Sequence, residues 1–435
     1  MTRNTSGQQT TEIMKKPVFQ LISLLVFLIS VSLLPSCGDT CKQTVRYQAM
    51  EPIYISLAEM QQSVASGPPQ ALQNPGKIWI YGHYLFINEL YKGIHIVDNR
   101  NPAAPKPIGF VNIPANVDLA VRGQVLYADN HTNLLALDIS DPQAVKLSRV
   151  LPSVFPARYS SDPNKGIVLD WKMVEKEEIV ECNSPRQEFT NLGIRSLGSA
   201  NSFAQANASS GGSTGQGGSM ARFALVDNFL YTVDDNSLKI FDVSTPTNPL
   251  SLERQNIGFG IETIFPYEDK LFLGSNTGMF IFSIAQPRKP ERLGMYSHAF
   301  ACDPVVVHGN LAYVTLRSGG AQCTRASNQL DVVDVSDPRK PRLVKTYPMQ
   351  NPHGLGIDFP SLFICEGKGG LKLFDASDPL AIDRHQLDQV KDIDAYDVIP
   401  FRNNLIMVGK DGIYQFDYTS RRDLRQISVM PVQRQ

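Results

Sequence analysis

The residues best suited to chemistry are few and scattered along the chain. The 435 residues include six Cys and seven His. No Cys-x-x-Cys pair and no His-x-x-x-His pair occurs, so the usual spacing of zinc ligands is missing. Neither a Walker loop nor a dinucleotide-binding glycine fingerprint is present. The sequence therefore predicts no metal centre, no cofactor and no catalytic residue set.

Cys37 has a different chemistry, because an export signal leads up to it. Lys15 and Lys16 precede Pro17 to Leu34, a stretch of 18 residues without a charge. Leu34-Pro-Ser-Cys37 then places a small residue just before a Cys, which is typical of a lipobox. We expect translation to start at Met14, residues 1–36 to be removed, and the Cys37 thiol to carry the lipid. The alternative is a plain transmembrane anchor, since 18 apolar residues nearly span a bilayer.

The elements that must position any site form a tandem array. A strand that ends in Asp-x-Ser-x-Pro or a partial form of it recurs seven times, complete in four copies, with its Asp or equivalent at 98, 138, 242, 283, 334, 375 and 417. The period of about 41 residues is that of a four-stranded propeller blade. We interpret each Asp as a turn former, because its carboxylate accepts hydrogen bonds from turn amides and the Pro stops the ladder.

These repeats resemble the LVIVD-repeat family of bacterial envelope lipoproteins. The resemblance is carried by stretches such as Gly93-Ile-His-Ile-Val-Asp98, Asn116-Val-Asp-Leu-Ala-Val and Gln329-Leu-Asp-Val-Val-Asp-Val. It implies a β-propeller with no established activity. The seven copies, their period and the gap between two of them predict an all-β, seven-bladed β-propeller of four-stranded blades with a long inserted loop. Arg421 in place of the turn Pro and Ser283 in place of Asp depart from the pattern and affect local turns only.

The array sets the expected boundaries. We expect a signal peptide over 1–36, a lipid-anchored tether with a short strand and helix over 37–75, and the propeller over 76–432. A gap of 104 residues between two anchors places an insertion at about 153–220. Within this insertion, the pattern of 166–182 suggests a hairpin. Ser196 to Ser219 contains no charged residue and is expected to be a flexible surface loop. Whether 153–220 contains an eighth, degenerate blade stays open.

Propellers bind ligands at the rim where their innermost strands begin. The polar residues at those positions are Asp118, Arg222, Glu262, Asp303, His353 and Asp397. Glu89 and Glu366 lie in loops that reach the same rim. Either these residues pair with one another, or several of them form a ligand site. We favour pairing, because polar rims are expected on any propeller.

Two further cysteines fall in one repeat. Cys302 precedes an innermost strand, and Cys323 lies in an enlarged loop of the same blade. A disulfide between them would close about 20 residues and contribute roughly 3 kcal/mol, and an exported protein permits it. Two free thiols are the alternative. Pairing of Cys41 with Cys182 stays open, and Cys365 is expected to be a buried small hydrophobe.

Charge and anchor together indicate a class of function. The net charge of -1 argues against nucleic-acid binding. We expect a non-enzymatic binding or protein-interaction module in the cell envelope, at the outer membrane, with an envelope protein or a glycan as partner and the lipid as membrane contact. Which membrane face it occupies stays open. The alternative is a glycan hydrolase or lyase that uses Asp303, Asp118 and His353 as rim acid and base.

Overall fold

A computed structural model describes residues 42–157, 161–162, 164–181, 216–298, 304–318 and 328–433. These residues form strands, one short α-helix and one 3-10 turn, so the all-β fold class is confirmed. No helix among them is long and apolar enough to cross a membrane. Cys37, Cys41, Cys182, Cys302, Cys323 and Asp303 lie outside the described residues.

The strands follow one another with short turns. Before the insertion they are β1 (Lys42–Ile55), β2 (Ala65–Gly67), β3 (Pro75–Tyr81), β4 (Tyr84–Glu89), β5 (Gly93–Asp98), β6 (Lys106–Asn112), β7 (Leu119–Arg122), β8 (Val125–Asn130), β9 (Asn133–Asp138) and β10 (Lys146–Leu151). The insertion contributes β11 (Ser161–Asp162), β12 (Gly166–Glu181) and β13 (Gln216–Gly217). The helix is α1 (Leu57–Gln62) and the 3-10 turn covers Ile382–Arg384.

The second half of the chain continues the same pattern. Its strands are β14 (Phe223–Val226), β15 (Phe229–Val233), β16 (Ser237–Asp242), β17 (Leu250–Asn256), β18 (Ile261–Tyr267), β19 (Lys270–Ser275), β20 (Gly278–Ser283), β21 (Glu291–Ser297), β22 (Val305–His308), β23 (Leu311–Leu316), β24 (Gln329–Asp334), β25 (Arg342–Pro348), β26 (Leu355–Asp358), β27 (Ser361–Cys365), β28 (Leu371–Asp375), β29 (Gln386–Val390), β30 (Ala395–Phe401), β31 (Asn404–Gly409), β32 (Gly412–Asp417) and β33 (Arg425–Pro431).

The described strands form eight sheets, one more than the seven that the repeats predicted. Seven sheets each contain four antiparallel strands that are consecutive in the chain, starting at β3, β7, β14, β18, β22, β26 and β30. β2 and β13 extend the first of these to six strands. The eighth sheet has three strands in the order β1-β12-β11. The hairpin expected over 166–182 is therefore wrong, because β12 runs unbroken through it.

Contacts divide the chain into two units, residues 1–51 with 173–192, and residues 52–172 with 193–435. In the first unit, Arg46 pairs with Glu177 at 2.5 Å and Lys176 with Glu51 at 3.0 Å. These cross-strand ion pairs are exposed, so each contributes little stability.

In the second unit, α1 begins after Ser56, whose side chain accepts the Glu59 amide while the Glu59 carboxylate accepts the Ser56 amide. This is a capping box, which satisfies two amides that the helix itself leaves unpaired. Met60 of this helix is buried with Ile167 of β12 and Ala115.

The repeated turns are made as the sequence predicts. At all seven anchors the side-chain oxygen accepts the backbone N–H two residues later, at distances from 2.8 to 3.2 Å. Ser283 does this with its hydroxyl, which explains why it can replace Asp. The interpretation of these residues as turn formers is confirmed.

The same turns join neighbouring sheets. Tyr127 donates its hydroxyl to the Pro246 carbonyl of the next sheet at 2.9 Å. Tyr231 does so to Pro287 at 2.9 Å, and Tyr347 to Pro379 at 2.7 Å. A turn between the third and fourth strands of one sheet therefore also fixes the sheet before it.

The seven four-strand runs close into a ring. The first strand of each run contacts the first strand of the next, from β3 through β7, β14, β18, β22 and β26 to β30. The last sheet returns to the first, since Ser428 donates to the Pro102 carbonyl at 2.6 Å and Leu72 forms a bridge with Val432. This radial arrangement is that of a β-propeller. Apolar residues of adjacent sheets fill the space between them, as where Phe155 stacks on Phe223.

Candidate functional site

Titratable residues recur at the start of the innermost strands. Asp118, Arg222 and His353 stand one or two residues before β7, β14 and β26, and Glu262 and Asp397 lie within the first residues of β18 and β30. Lys77 occupies the matching place in β3. It was missed as a rim residue, although its position in the first repeat matches that of Asp118 in the second.

Lys77 and Asp118 form a buried ion pair. Lys77 Nζ lies 2.5 Å from Asp118 Oδ2, and the two side chains are 4% and 2% exposed. Asp118 also accepts the Arg222 amide at 2.6 Å and the Leu119 amide at 2.7 Å. Buried charges are tolerated when they are paired and hydrogen-bonded, and this carboxylate is both. Asp118 thus links three neighbouring sheets instead of facing solvent.

A short piece of the insertion lies in the middle of the ring. We call Gln216–Ala221 the central segment. Its Gln216 and Gly217 pair with Ile80 and Trp79 on the free edge of β3. Ala221 O accepts the Ile264 amide at 2.8 Å, and Ser219 Oγ accepts the Leu355 amide at 3.0 Å.

The central segment also reaches the last sheet. Gln216 Nε2 donates to the Pro400 carbonyl at 3.2 Å, and Met220 packs against Leu90 and Tyr396. One peptide can bond to β3, β18, β26 and β30 only where the inner edges of these strands converge. Residues 217–221 are buried. The flexible surface loop expected up to Ser219 is therefore wrong for 216–219, because small residues fit the narrow space between the strands.

Asp397 faces the central segment. Its side chain is 1% exposed and accepts the Val398 amide at 2.8 Å. Burial raises the pKa of the Asp397 carboxyl well above its usual range, while hydrogen bonds from Val398 and Ser219 and the charge of Lys77 oppose this. Gly354 passes so close that a Cβ there would lie 2.2 Å from Asp397 Oδ1. Only glycine fits at this position.

Arg222, Glu262 and Arg317 form a second group on the rim. Burial raises the pKa of the Glu262 carboxyl, and the charges of Arg222 and Arg317 work against that rise. Burial also lowers the pKa of the Arg317 guanidinium. Arg222 Nη1 also lies 3.8 Å from Oδ1 of the exposed Asp235. Arg317, which follows β23 directly and is not among the rim residues predicted from the sequence, belongs to this group.

His353 is held from several sides. Its carbonyl accepts the Thr315 hydroxyl at 2.7 Å, and its Nε2 lies 3.1 Å from Asn351 Nδ2. The Tyr396 ring is 5.3 Å away. Burial lowers the pKa of the imidazole to about 3, and the nearby Arg317 charge adds to the effect. The ring is therefore neutral at ordinary pH.

Carboxylates at the ends of the second strands hold the loops of the same rim. Glu89 accepts the Gln73 amide at 3.0 Å and lies 2.9 Å from His95 Nε2. Burial opposes ionisation of Glu89, but these hydrogen bonds prevail and lower its pKa. Glu366 accepts the Gln350 amide at 3.1 Å and pairs with Lys372 at 2.6 Å. These acids are thus engaged in structure.

The remaining chemical candidates do not assemble into a centre within the described residues. No group of three or more His, Cys, Asp or Glu in that part of the chain could hold a metal ion. Cys365 is a free, fully buried thiol, as the sequence predicted. Burial raises its pKa well above the usual range, which makes it unreactive.

Comparison with protein families accounts for the repeats. The LVIVD repeat model matches residues 75–112, 116–149, 217–256 and 301–348. The chain carries LVIVD repeats. Each matched LVIVD repeat covers one of the four-strand runs, those that begin at β3, β7, β14 and β22. No curated protein sequence matches the chain.

Solved structures resemble this LVIVD-repeat chain at low sequence identity. The computationally designed Ika8 protein is 9% identical, with a TM-score of 0.49 over 85% of this chain and 93% of its own. Saccharomyces cerevisiae Sqt1 is 10% identical, with a TM-score of 0.49 over 85% and 88%. BamB from Moraxella catarrhalis is 8% identical, with a TM-score of 0.47 over 85% and 97%.

Proposed function

We propose that this chain is a seven-bladed propeller that acts as a binding or interaction module without catalysis. The observation that carries the proposal is the central segment. It occupies the place where a propeller enzyme would need an open cavity, and its Ser219 is 0% exposed. An acid and a base must both reach a bound substrate. With the centre filled by the protein itself, the outer faces are what remain for a partner.

The count of seven blades rests on the ring contacts. Seven four-strand runs follow one another around the ring and meet at Leu72 and Val432. Within the described residues, the three-stranded sheet contains neither the repeat motif nor a fourth strand. We therefore assign it as an addition to the propeller and not as an eighth blade.

The position of Asp118 favours binding over glycan cleavage. A glycosidase acid and its partner carboxylate flank the scissile bond and must be open to it. Asp118 is 2% exposed and pairs with Lys77, and His353 is neutral and 8% exposed. Neither is presented as an acid or base to a sugar.

We further propose that Cys37 carries a lipid and holds the protein in the cell envelope, at the outer membrane. The support is the lipobox at Leu34-Pro-Ser-Cys37. β1 begins at Lys42, five residues after this Cys. A chain of this length spans at most about 18 Å, so the first strand would lie close to the bilayer surface.

The test is a capture experiment with the full-length tagged chain from detergent-solubilised envelopes. We expect one partner in constant ratio, and the same complex when the purified partner is mixed with the purified chain. Cys37→Ser is the matched variant, and we expect it to leave the membrane fraction while still binding the purified partner. Turnover of a glycan that is lost in Asp118→Asn would contradict the proposal.

A further inference from the structure

The long strands β1 and β12 form a ribbon in the first unit. We call residues 42–51 of β1 and 173–181 of β12 the ribbon. β11 pairs only with Gly166 and Ile167 of β12, so among the described residues the ribbon is two strands wide. A two-stranded ribbon is marginally stable at best in water. Its stability therefore depends on what its two faces contact.

Burial alternates along β1 and distinguishes the two faces of the ribbon. Val45, Tyr47 and Ala49 are half-buried, whereas Arg46 and Gln48 between them are exposed. Successive side chains of a strand point to opposite sides of the sheet, so the even-numbered residues of β1 share one face. We call this side the exposed face of the ribbon.

Two ion pairs show which residues of β12 share that face. Arg46 pairs with Glu177 at 2.5 Å, which places the odd-numbered residues of β12 on the exposed face. Glu51, on the other face of β1, pairs with Lys176 at 3.0 Å, in agreement with this assignment. Cross-strand partners of this kind lie on the same side of a sheet.

Three large apolar side chains lie on the exposed face. Met50 is 42% exposed, Met173 68% and Ile179 69%. A single apolar side chain at a protein surface is ordinary and needs no explanation. Three of them on one face of a narrow ribbon indicate a contact surface.

The charges of the exposed face cancel. Lys42 and Arg46 of β1 balance Glu175 and Glu177 of β12. The face therefore selects neither an anionic nor a cationic partner, and a lipid with a zwitterionic headgroup matches it.

The spacing of the apolar side chains suits a flat partner. Met173 and Ile179 are six residues apart on one strand, about 20 Å, and Glu177 with its partner Arg46 lies between them. Protein interfaces place apolar anchors at the centre and polar residues at the rim. The exposed face has the reverse order. A bilayer surface accepts this order, because an ion pair can stay at the level of the headgroups while apolar side chains enter below it.

The proposed lipid places a bilayer within reach of the ribbon. Cys37 is nine residues before Arg46, so the path between them is at most about 32 Å. A bilayer that holds Cys37 stays at this distance continuously, whereas a dissolved partner must first diffuse to the ribbon. The bilayer is therefore the partner that the chain itself brings to this face.

We propose that the exposed face of the ribbon lies flat on the bilayer that holds Cys37. Met50, Met173 and Ile179 enter the interfacial region, and burial of their apolar surface adds to the attachment that the lipid provides. The inference rests on the proposed lipid anchor and adds a protein surface that contacts the membrane.

Quenching of tryptophan emission by brominated lipid tests this contact. The chain is purified from detergent-solubilised envelopes and reconstituted into vesicles of phosphatidylcholine, with or without bromine on the acyl chains. Trp171→Phe is the common background, because it leaves Trp79 as the only other indole, and Trp79 is buried away from lipid.

The two variants compare neighbouring residues on opposite faces. In this background Ile179→Trp should lose emission in the brominated vesicles. Glu178→Trp is the matched control, because Glu178 is also exposed but lies on the face of Tyr47, whose hydroxyl is 3.5 Å from its carboxylate. Its emission should be the same in both kinds of vesicle.

No loss of emission at 179, or an equal loss at 178 and 179, would overturn the contact. So would a change at 179 that occurs only when a captured protein partner is added, since it would assign the exposed face to that partner. Mass spectrometry of the same sample separates this inference from the anchor. A lipid on Cys37 without quenching at 179 leaves the anchor standing and removes the contact, whereas an unmodified Cys37 removes both.

Discussion

The ion pair between Lys77 and Asp118, 2.5 Å from Nζ to Oδ2, joins the first strands of two neighbouring sheets out of contact with water. Lys77→Met would leave Asp118 buried without its counter-ion. We expect a loss of about 3–5 kcal/mol in the free energy of unfolding, measured with urea. Arg46→Met is the matched change in the exposed pair with Glu177, and it should cost at most about 1 kcal/mol. Equal losses in the two variants would contradict a buried pair.

The hydroxyl of Ser219 gives a test of the central segment. Ser219→Ala leaves the Leu355 amide without its acceptor, and a buried unsatisfied amide costs about 1–3 kcal/mol. We expect that loss in urea unfolding, whereas Ser420→Ala, at an exposed turn, should stay within about 0.5 kcal/mol of wild type. No difference between the two would mean that the segment is not anchored there.

His353 predicts a pH effect on stability between pH 7 and pH 5. Its folded pKa of about 3 lies below the ordinary value of about 6.5. The unfolded chain therefore binds the proton first, and stability falls as the pH drops. For this one group the loss between pH 7 and pH 5 is about 2 kcal/mol. His353→Gln should unfold with a correspondingly smaller change over that range, and an unchanged pH slope would contradict a buried neutral ring.

For Asp397 we expect a pH dependence of stability with the opposite sign. Its folded pKa is raised, so the folded chain holds the proton more tightly than the unfolded chain and stability falls as the pH rises above the ordinary pKa of Asp. Asp397→Asn removes this dependence. We expect the stability of the variant relative to wild type to increase with pH, as followed by thermal unfolding in buffers of equal ionic strength. A constant difference would mean that the carboxyl ionises normally.

The repeated turns predict a graded series at one position. Asp334 accepts the Ser336 amide at 2.9 Å. Asp334→Ala removes the acceptor and should cost about 1 kcal/mol in urea unfolding. Asp334→Ser should recover most of this, because Ser283 fills the same role at its own turn. A serine variant as unstable as the alanine variant would contradict the role of the side-chain oxygen.

Much of the fold could be predicted because each repeat carries its own local signal. The Asp334 turn closes a strand through a hydrogen bond to a residue two positions away, and such contacts are visible in sequence. The strands β1 and β12 carry no repeat, and they pair across more than 100 residues. No sequence motif near either strand predicts that pairing, so the eighth sheet was not predicted.

The positions of the rim residues could be predicted from the repeats, but the contacts between these residues could not. Asp118 and Asp397 could be placed at strand starts from the repeat register, but their partners come from elsewhere in the ring. Lys77 reaches Asp118 across 41 positions, and Ser219 approaches Asp397 from the insertion. The lack of charged residues before Met220 is typical of a loop. It is equally typical of a buried segment such as the central segment, which passes between the inner strands.

The most direct test of the account is amide hydrogen exchange at Ile264 and Leu355. Both amides face the centre of the ring, and both donate to the central segment. We predict that they exchange as slowly as amides inside the sheets. Exchange at the rate of a solvent-exposed amide at both positions would show an open channel and contradict the proposal that the propeller's centre is closed to a substrate.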